Sequence, residues 1–146
     1  MGPRHAPIPL LPSVDVPIRR ELQQLYDELD KELSALGAAC TACGDCCRFT
    51  AFGHELWLTS LELTVLLDAA GPPGPASDGT CPFQSEGRCT ARDGRALGCR
   101  IFHCRLDPSA MERLHETFME RLRELHARHD LDMTWGEFLS SLSALR

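Results

Sequence analysis

Residues 17 to 36, PIRRELQQLYDELDKELSAL, carry the strongest helical signal in the 146-residue chain. Their apolar residues recur at steps of three and four, which places them on one face of an α-helix. These positions are Ile18, Leu22, Leu25, Leu29, Leu33 and Leu36. Pro17 is compatible with a first helical turn, and Gly37 is a natural C-terminal stop. The stripe is short for a coiled coil, so it predicts a helix that packs on the core of a domain.

The rest of the chain predicts one domain built around this helix. Residues 1 to 16 are rich in proline and predict an extended N-terminal arm, which leaves residues 17 to 146 as a single domain. A chain of this length buries about two thirds of the surface that its unfolded form exposes, so it does not need covalent cross-links in order to fold.

Three further helices are predicted from their start signals. The sequence TSLE at residues 59 to 62 is a capping-box pattern, and the helix that it opens ends at Gly71. Asp107 followed by Pro108 opens a long helix. A second capping-box pattern, TWGE at residues 134 to 137, precedes a short terminal helix. The predicted fold is therefore mainly α, with about four helices and irregular cysteine-rich loops organised around a metal site.

The eight cysteines are grouped in two irregular segments. The first segment, CTACGDCCRF at residues 40 to 49, has the spacing C-x2-C-x2-C-C and contains Cys40, Cys43, Cys46 and Cys47. Two residues between thiols allow a tight turn to direct both sulfurs at one centre. The second segment has wider gaps and contains Cys81, Cys89, Cys99 and Cys104. All eight are predicted metal ligands, enough for two four-ligand sites or for one site with thiols to spare.

The composition of the chain indicates the cellular compartment of the protein and the classes of partner that it could bind. A net charge of −6 and a pI near 5.4 disfavour binding to nucleic acid or to an anionic membrane. The N-terminal residues lack the apolar stretch of a secretory signal and no run is long enough to cross a membrane, so we expect a cytoplasmic protein. Clustered thiols in a reducing compartment are more often metal ligands or redox groups than disulfides. A disulfide between the adjacent Cys46 and Cys47 would also be strained.

The residues around the second cysteine segment favour thiolates. Between residues 81 and 105, five arginines stand against Glu86 and Asp93, so the local charge is five minus two, or +3. The arginines are Arg88, Arg92, Arg95, Arg100 and Arg105. Cations favour the deprotonated thiol and can donate hydrogen bonds to its sulfur, although arginines in loops are also ordinary surface charges. Aromatic residues near the cysteines predict an apolar shell, namely Phe49, Phe52, Trp57, Phe83 and Phe102.

Two histidines near the end of the long helix, His126 and His129, are one turn apart and could chelate a metal ion. Their surroundings, RLRELHARHD at residues 121 to 130, instead predict a solvated and charged helix face. The predicted metal ligands are therefore the cysteines.

The order of these motifs resembles that of the YkgJ-type cysteine-cluster family, a zinc- or iron-chelating domain with a CxxCxxCC signature. The resemblance rests on CTACGDCCRF, on ELWLTSLEL at residues 55 to 63 and on CPFQSEGRCTARDGRALGCRIF at residues 81 to 102. It covers roughly residues 40 to 104 and implies metal or iron–sulfur binding. The chain departs from the family at GRALGC, residues 94 to 99, where members more often carry Arg-Pro before the cysteine.

The spacing favours an iron–sulfur cluster of the [4Fe–4S] type over zinc. Three cysteines at C-x2-C-x2-C resemble part of the bacterial ferredoxin run, whose fourth ligand is remote, whereas zinc sites usually pair two C-x2-C units. The predicted function is metal binding with an electron-transfer or redox role and a protein redox partner. Two alternatives stay open, a zinc-binding structural or interaction module and a thiol-dependent enzyme that uses Cys46 and Cys47. Neither nucleic acid nor a membrane is a predicted partner.

Overall fold

The computed structural model describes residues 7–37, 55–71, 73, 80–86, 88–101 and 106–145. Within these ranges the chain forms five α-helices: α1 Val16–Ala35, α2 Ser60–Ala70, α3 Leu97–Ile101, α4 Pro108–Arg128 and α5 Phe138–Ser143. Four short strands accompany them: β1 Trp57–Thr59, β2 Gln84–Ser85, β3 Arg88–Cys89 and β4 Trp135–Glu137. The predicted mainly helical fold is confirmed. Across the described ranges, no helix has the length and apolar character needed to cross a membrane.

The structure of α1 confirms the prediction that its apolar residues form one buried face. Five of its six predicted positions are buried, whereas Leu36 lies just beyond the helix and is 53% exposed. Gly37 follows with a φ of +75°, a conformation that glycine adopts without strain. The stripe packs against α4 and α3 in a first core cluster, which includes Phe118 and Leu122 from α4 and Ile101 from α3.

Helix α4 begins where its start signal predicts. The Asp107 side chain accepts a hydrogen bond from the Ala110 N–H at 3.2 Å, which satisfies an otherwise unpaired donor of the first turn. Ion pairs flank the packing of α4 on α1, between Arg121 and Glu28 and between Arg128 and Glu21. These pairs are partly exposed and each adds little stability.

The two histidines at the end of α4 do not form a chelating pair. His126 is buried, and its Nδ1 lies 2.9 Å from the Leu122 carbonyl oxygen, so the prediction of a solvated face is wrong at this position. His129 instead contacts the Glu21 carboxylate on α1. This hydrogen bond is the largest cause of the lowered pKa of Glu21.

Strands β1 and β4 pair antiparallel, and each leads directly into a helix. At the end of β1, Thr59 and Glu62 form the predicted capping box of α2. The second predicted capping box, at residues 134 to 137, is wrong, because residues 135 to 137 form β4. Glu137 itself caps α5, since its carboxylate accepts hydrogen bonds from the Leu139 and Ser140 N–H groups.

A second core cluster lies on the other side of α2. It joins α2 and α5 to the segment that carries the second group of cysteines, and its members include Leu63, Leu66 and Phe138. The N-terminal arm also contributes to this cluster. Ile8 is buried there, and its N–H donates to the Ser141 hydroxyl at 3.1 Å. Because α2 is apolar on most of its surface, it can contact both clusters at once.

Shortening a buried leucine of α1 should destabilise the fold strongly. Leu22 is 0% exposed in the first core cluster, so Leu22→Ala should lower the free energy of unfolding by about 2–5 kcal/mol. The matched control is Leu36→Ala, which removes the same atoms at an exposed position and should change this value by less than about 0.5 kcal/mol. Urea unfolding followed by circular dichroism measures both. Equal effects of the two variants would contradict the assigned packing of α1.

Candidate metal centre

Of the eight cysteines predicted to be metal ligands, some lie within the described residues and the others lie outside them. Five lie outside the described residues: Cys40, Cys43, Cys46, Cys47 and Cys104. Three are described: Cys81, Cys89 and Cys99. The geometry of the candidate centre can therefore be followed on its distal side, from residue 80 to residue 101.

Cys81 and Cys89 lie in a small hairpin, and the backbone of Gln84 contacts both of them. Gln84 donates its N–H to the Cys81 carbonyl oxygen at 3.0 Å and is also the antiparallel partner of Cys89 in the β2–β3 pair. The hairpin is closed by Thr90, whose N–H and hydroxyl both donate to the Phe83 carbonyl oxygen, at 2.8 Å and 2.6 Å. This segment, predicted to be irregular, therefore contains short regular elements that hold the two cysteines near each other.

All three described cysteines lie in or against the second core cluster. Cys81 is buried in it, and the half-buried Cys89 and Cys99 pack against it. Phe83 stacks on Phe138 with 6.4 Å between ring centroids, which confirms an apolar neighbour on this side. Of the other predicted shell residues, Trp57 is half-buried, and Phe49, Phe52 and Phe102 lie outside the described residues. An apolar setting of this kind keeps water away from a metal site.

One buried carboxylate joins three elements beside Cys99. Glu62 in α2 is 1% exposed, and its Oε2 accepts hydrogen bonds from the Tyr26 hydroxyl at 2.8 Å and from the Leu97 N–H at 2.7 Å. Its Oε1 accepts from the N–H and the hydroxyl of Thr59. Four donors therefore satisfy the carboxylate, and they connect α3 to both α1 and α2.

Arg100, the residue after Cys99, is also buried, and each of its three guanidinium nitrogens donates a hydrogen bond. Its Nη1 donates to the Asp30 carboxylate of α1 at 2.7 Å. Its Nη2 and Nε donate to the carbonyl oxygens of Asp93 and Arg95, at 2.6 Å and 2.7 Å. The guanidinium therefore holds the turn that leads into α3 and fixes that turn to α1.

The arginines that the structure describes in this segment differ in burial. Each of the three guanidinium nitrogens of Arg100 donates to an oxygen atom, so this side chain organises the turn before α3. Arg92 is exposed and Arg95 is half-buried. The side chains of Arg88 and Arg105 lie outside the described part of the chain.

Tyr26 lies between the two charged groups. Its hydroxyl donates to Glu62, and its ring faces the Arg100 guanidinium, whose carbon is 4.1 Å from the ring centroid. Burial raises the pKa of Tyr26 well above its ordinary value of 10.0, and the Glu62 carboxylate raises it further. The positive charge of Arg100 opposes this rise in the pKa, with a smaller effect. The phenol therefore stays protonated and remains a hydrogen-bond donor.

The chemistry of the donors fits an iron–sulfur cluster or zinc, because both are bound by cysteine thiolates. Cys81, Cys89 and Cys99 share one apolar cluster, as ligands of such a group would. They do not complete a site by themselves. Within the described ranges, no group of three or more His, Cys, Asp or Glu side chains is arranged to hold a metal ion. A complete site would therefore need further ligands from outside the described ranges, where the other five predicted cysteines lie.

No protein-family model matches the chain, and no curated protein or solved structure shows detectable similarity to it. The resemblance to the YkgJ-type family therefore rests on the ordered motifs alone.

Sequence reasoning found the cysteines but missed the network formed by Glu62, Tyr26 and Arg100. One signal was present, since Glu62 is the single charged residue in the apolar run LELTVLL at residues 61 to 67. A carboxylate in such an apolar helix is buried whichever face of the helix it lies on. It therefore needs hydrogen-bond donors from elsewhere in the fold. The identity of those donors depends on tertiary contacts that no local pattern reports.

We expect Tyr26 to resist ionisation until the protein unfolds. It is the single tyrosine of the chain, so tyrosinate absorbance reports on this residue alone. Because its pKa is higher in the folded than in the unfolded state, its stabilising contribution is complete below pH 10.0 and is lost as the pH rises towards the folded-state pKa. In an alkaline titration, tyrosinate should appear together with the loss of helical circular dichroism. Tyrosinate that forms near pH 10.0 while the helices are intact would contradict the assigned environment.

Proposed function

We propose that this protein binds a metal centre through cysteine thiolates, that the centre is an iron–sulfur cluster of the [4Fe–4S] type, and that the protein has an electron-transfer or redox role. The observation that carries the proposal is the spacing C-x2-C-x2-C-C at residues 40 to 47, which is typical of a loop that wraps around one centre. Membership in the YkgJ-type family is part of the same proposal.

The arrangement of the distal cysteines supports this proposal. Cys81, Cys89 and Cys99 come from two separate elements, the β2–β3 hairpin and α3, yet all three join one core cluster. A centre whose first ligands come from a short loop needs a remote ligand to complete it. The distal cysteines are the residues that would supply that ligand.

The chain itself would supply three things to the centre. The thiolates of the first segment would bind the metal, a distal cysteine would complete the ligand set, and the apolar side chains of the second core cluster would exclude water. Phe83 and Phe138 belong to that cluster. A bound iron–sulfur cluster would supply one-electron redox chemistry, and its potential would depend on this solvent exclusion.

Anaerobic purification followed by iron, zinc and acid-labile sulfide analysis tests the proposal. Iron and sulfide in equal amounts, with visible absorbance that bleaches on reduction, would support the iron–sulfur cluster. Zinc without sulfide would replace it with the structural zinc module. A chain that purifies and refolds without either metal, and shows a thiol-dependent activity, would overturn both.

Replacing Cys43 should remove the centre. Cys43 is the middle cysteine of C-x2-C-x2-C, so Cys43→Ser should lose most of the bound iron and sulfide, or of the zinc. The control is Ser109→Ala, an exposed change in the first turn of α4 that should leave the metal content unchanged. Metal content is measured by elemental analysis of both variants. Full occupancy in Cys43→Ser would show that the first segment does not form the site.

A further inference from the structure

The backbone on the N-terminal side of Cys99 is fixed by two contacts. The Leu97 N–H, at the start of α3, donates to the Glu62 carboxylate at 2.7 Å. At the next residue, α3 lies against the chain before β1, where a Cβ atom on Gly98 would be 2.9 Å from Leu56 Cδ1. A larger residue at this point would require the buried Leu56 side chain to move.

The backbone on the C-terminal side of Cys99 is fixed by Arg100. This side chain binds Asp30 on α1 and two carbonyl oxygens of the turn that precedes α3. Residues 97, 98 and 100 are thus all held by named contacts, and Cys99 lies between them. None of these contacts involves a thiol or a metal ion.

We infer that Glu62 and Arg100 are positioning residues that place Cys99 before any metal binds, so that Cys99 is a preformed anchor ligand of the proposed centre. This inference rests on the proposed function. A ligand whose backbone is already ordered loses less conformational freedom on metal binding, and the affinity of the site rises accordingly. Groups that orient metal ligands from outside the ligand shell commonly change metal affinity by about 10- to 100-fold.

The test uses the full chain in its metal-free, reduced form. The rate at which iodoacetamide labels Cys99 is measured by peptide mass spectrometry in the wild type, in Glu62→Gln and in Asp30→Asn. Wild-type Cys99 should be labelled much more slowly than in the same chain unfolded in urea. Either substitution should speed the labelling by about tenfold, because each replaces a charged acceptor by a neutral one and weakens a hydrogen bond that opposes local opening.

The same variants are then titrated with Co²⁺, whose thiolate absorption bands report sulfur ligation. Glu62→Gln and Asp30→Asn should weaken Co²⁺ binding by about tenfold or more. Asp68→Asn is the matched control, because Asp68 also forms an ion pair with α1, but its partner Arg19 has no hydrogen bond to residues 97–100. Its side chain is 51% exposed against 44% for Asp30, so the two changes are comparable in exposure.

The outcomes separate the two proposals. If wild-type Co²⁺ binding is tight but neither Glu62→Gln nor Asp30→Asn alters labelling or affinity relative to Asp68→Asn, the anchoring of Cys99 is wrong and the metal centre stands. If Cys99 of the folded, metal-free wild type is labelled as fast as in urea, the anchoring is also wrong. If the wild type binds neither Co²⁺ nor an iron–sulfur cluster, the proposed function fails, and the role of Cys99 as a ligand fails with it. Asp30→Asn keeps the test valid if Glu62→Gln does not fold, since it removes only a half-exposed partner.

Discussion

A carboxylate removed from water must have its lone pairs satisfied by the protein, and Glu62 meets this requirement with donors from three parts of the fold. Thr59 belongs to its own helix cap, Tyr26 comes from α1, and Leu97 begins α3. Separating any of these elements would leave a buried oxygen without its donor, which costs more than the hydrogen bond itself contributes. Apolar contacts stabilise the packing of α1, α2 and α3, and the hydrogen bonds to Glu62 fix the positions of the three helices relative to each other.

Arg100 complements this arrangement from the other side of Tyr26. The phenol hydroxyl donates to one charged group, while the face of the ring meets the other. A neutral phenol suits both contacts, because it can donate to a carboxylate and its ring attracts a cation. Replacing Tyr26 would take a hydrogen-bond donor from Glu62 and the aromatic ring from Arg100 at the same time. The three side chains therefore act as one unit, and their effects on stability should not be additive.

Local signals explain which parts of the fold the sequence could predict. Helices α1 and α4 carry periodic apolar residues, and α1, α2 and α4 each have a proline or a side-chain cap at their start. These signals lie within a few residues of each other. The start of α5 was misplaced, because the pairing of β4 with the distant β1 decides it. The oxygen atoms that Arg100 binds come from α1 and from a turn, and no local pattern reports these partners. For the candidate site, spacing identified the cysteines, and only the fold could show that three of them share one cluster.

The position of the distal cysteines also bears on what a metal would do for this protein. In small zinc modules the metal replaces a core that the chain is too short to build. Here α1 and α4 form a core of their own, and α3 is attached to it by charged contacts that need no metal. Metal binding would then act mainly on the first cysteine segment, by joining it to cysteines whose elements are already in place.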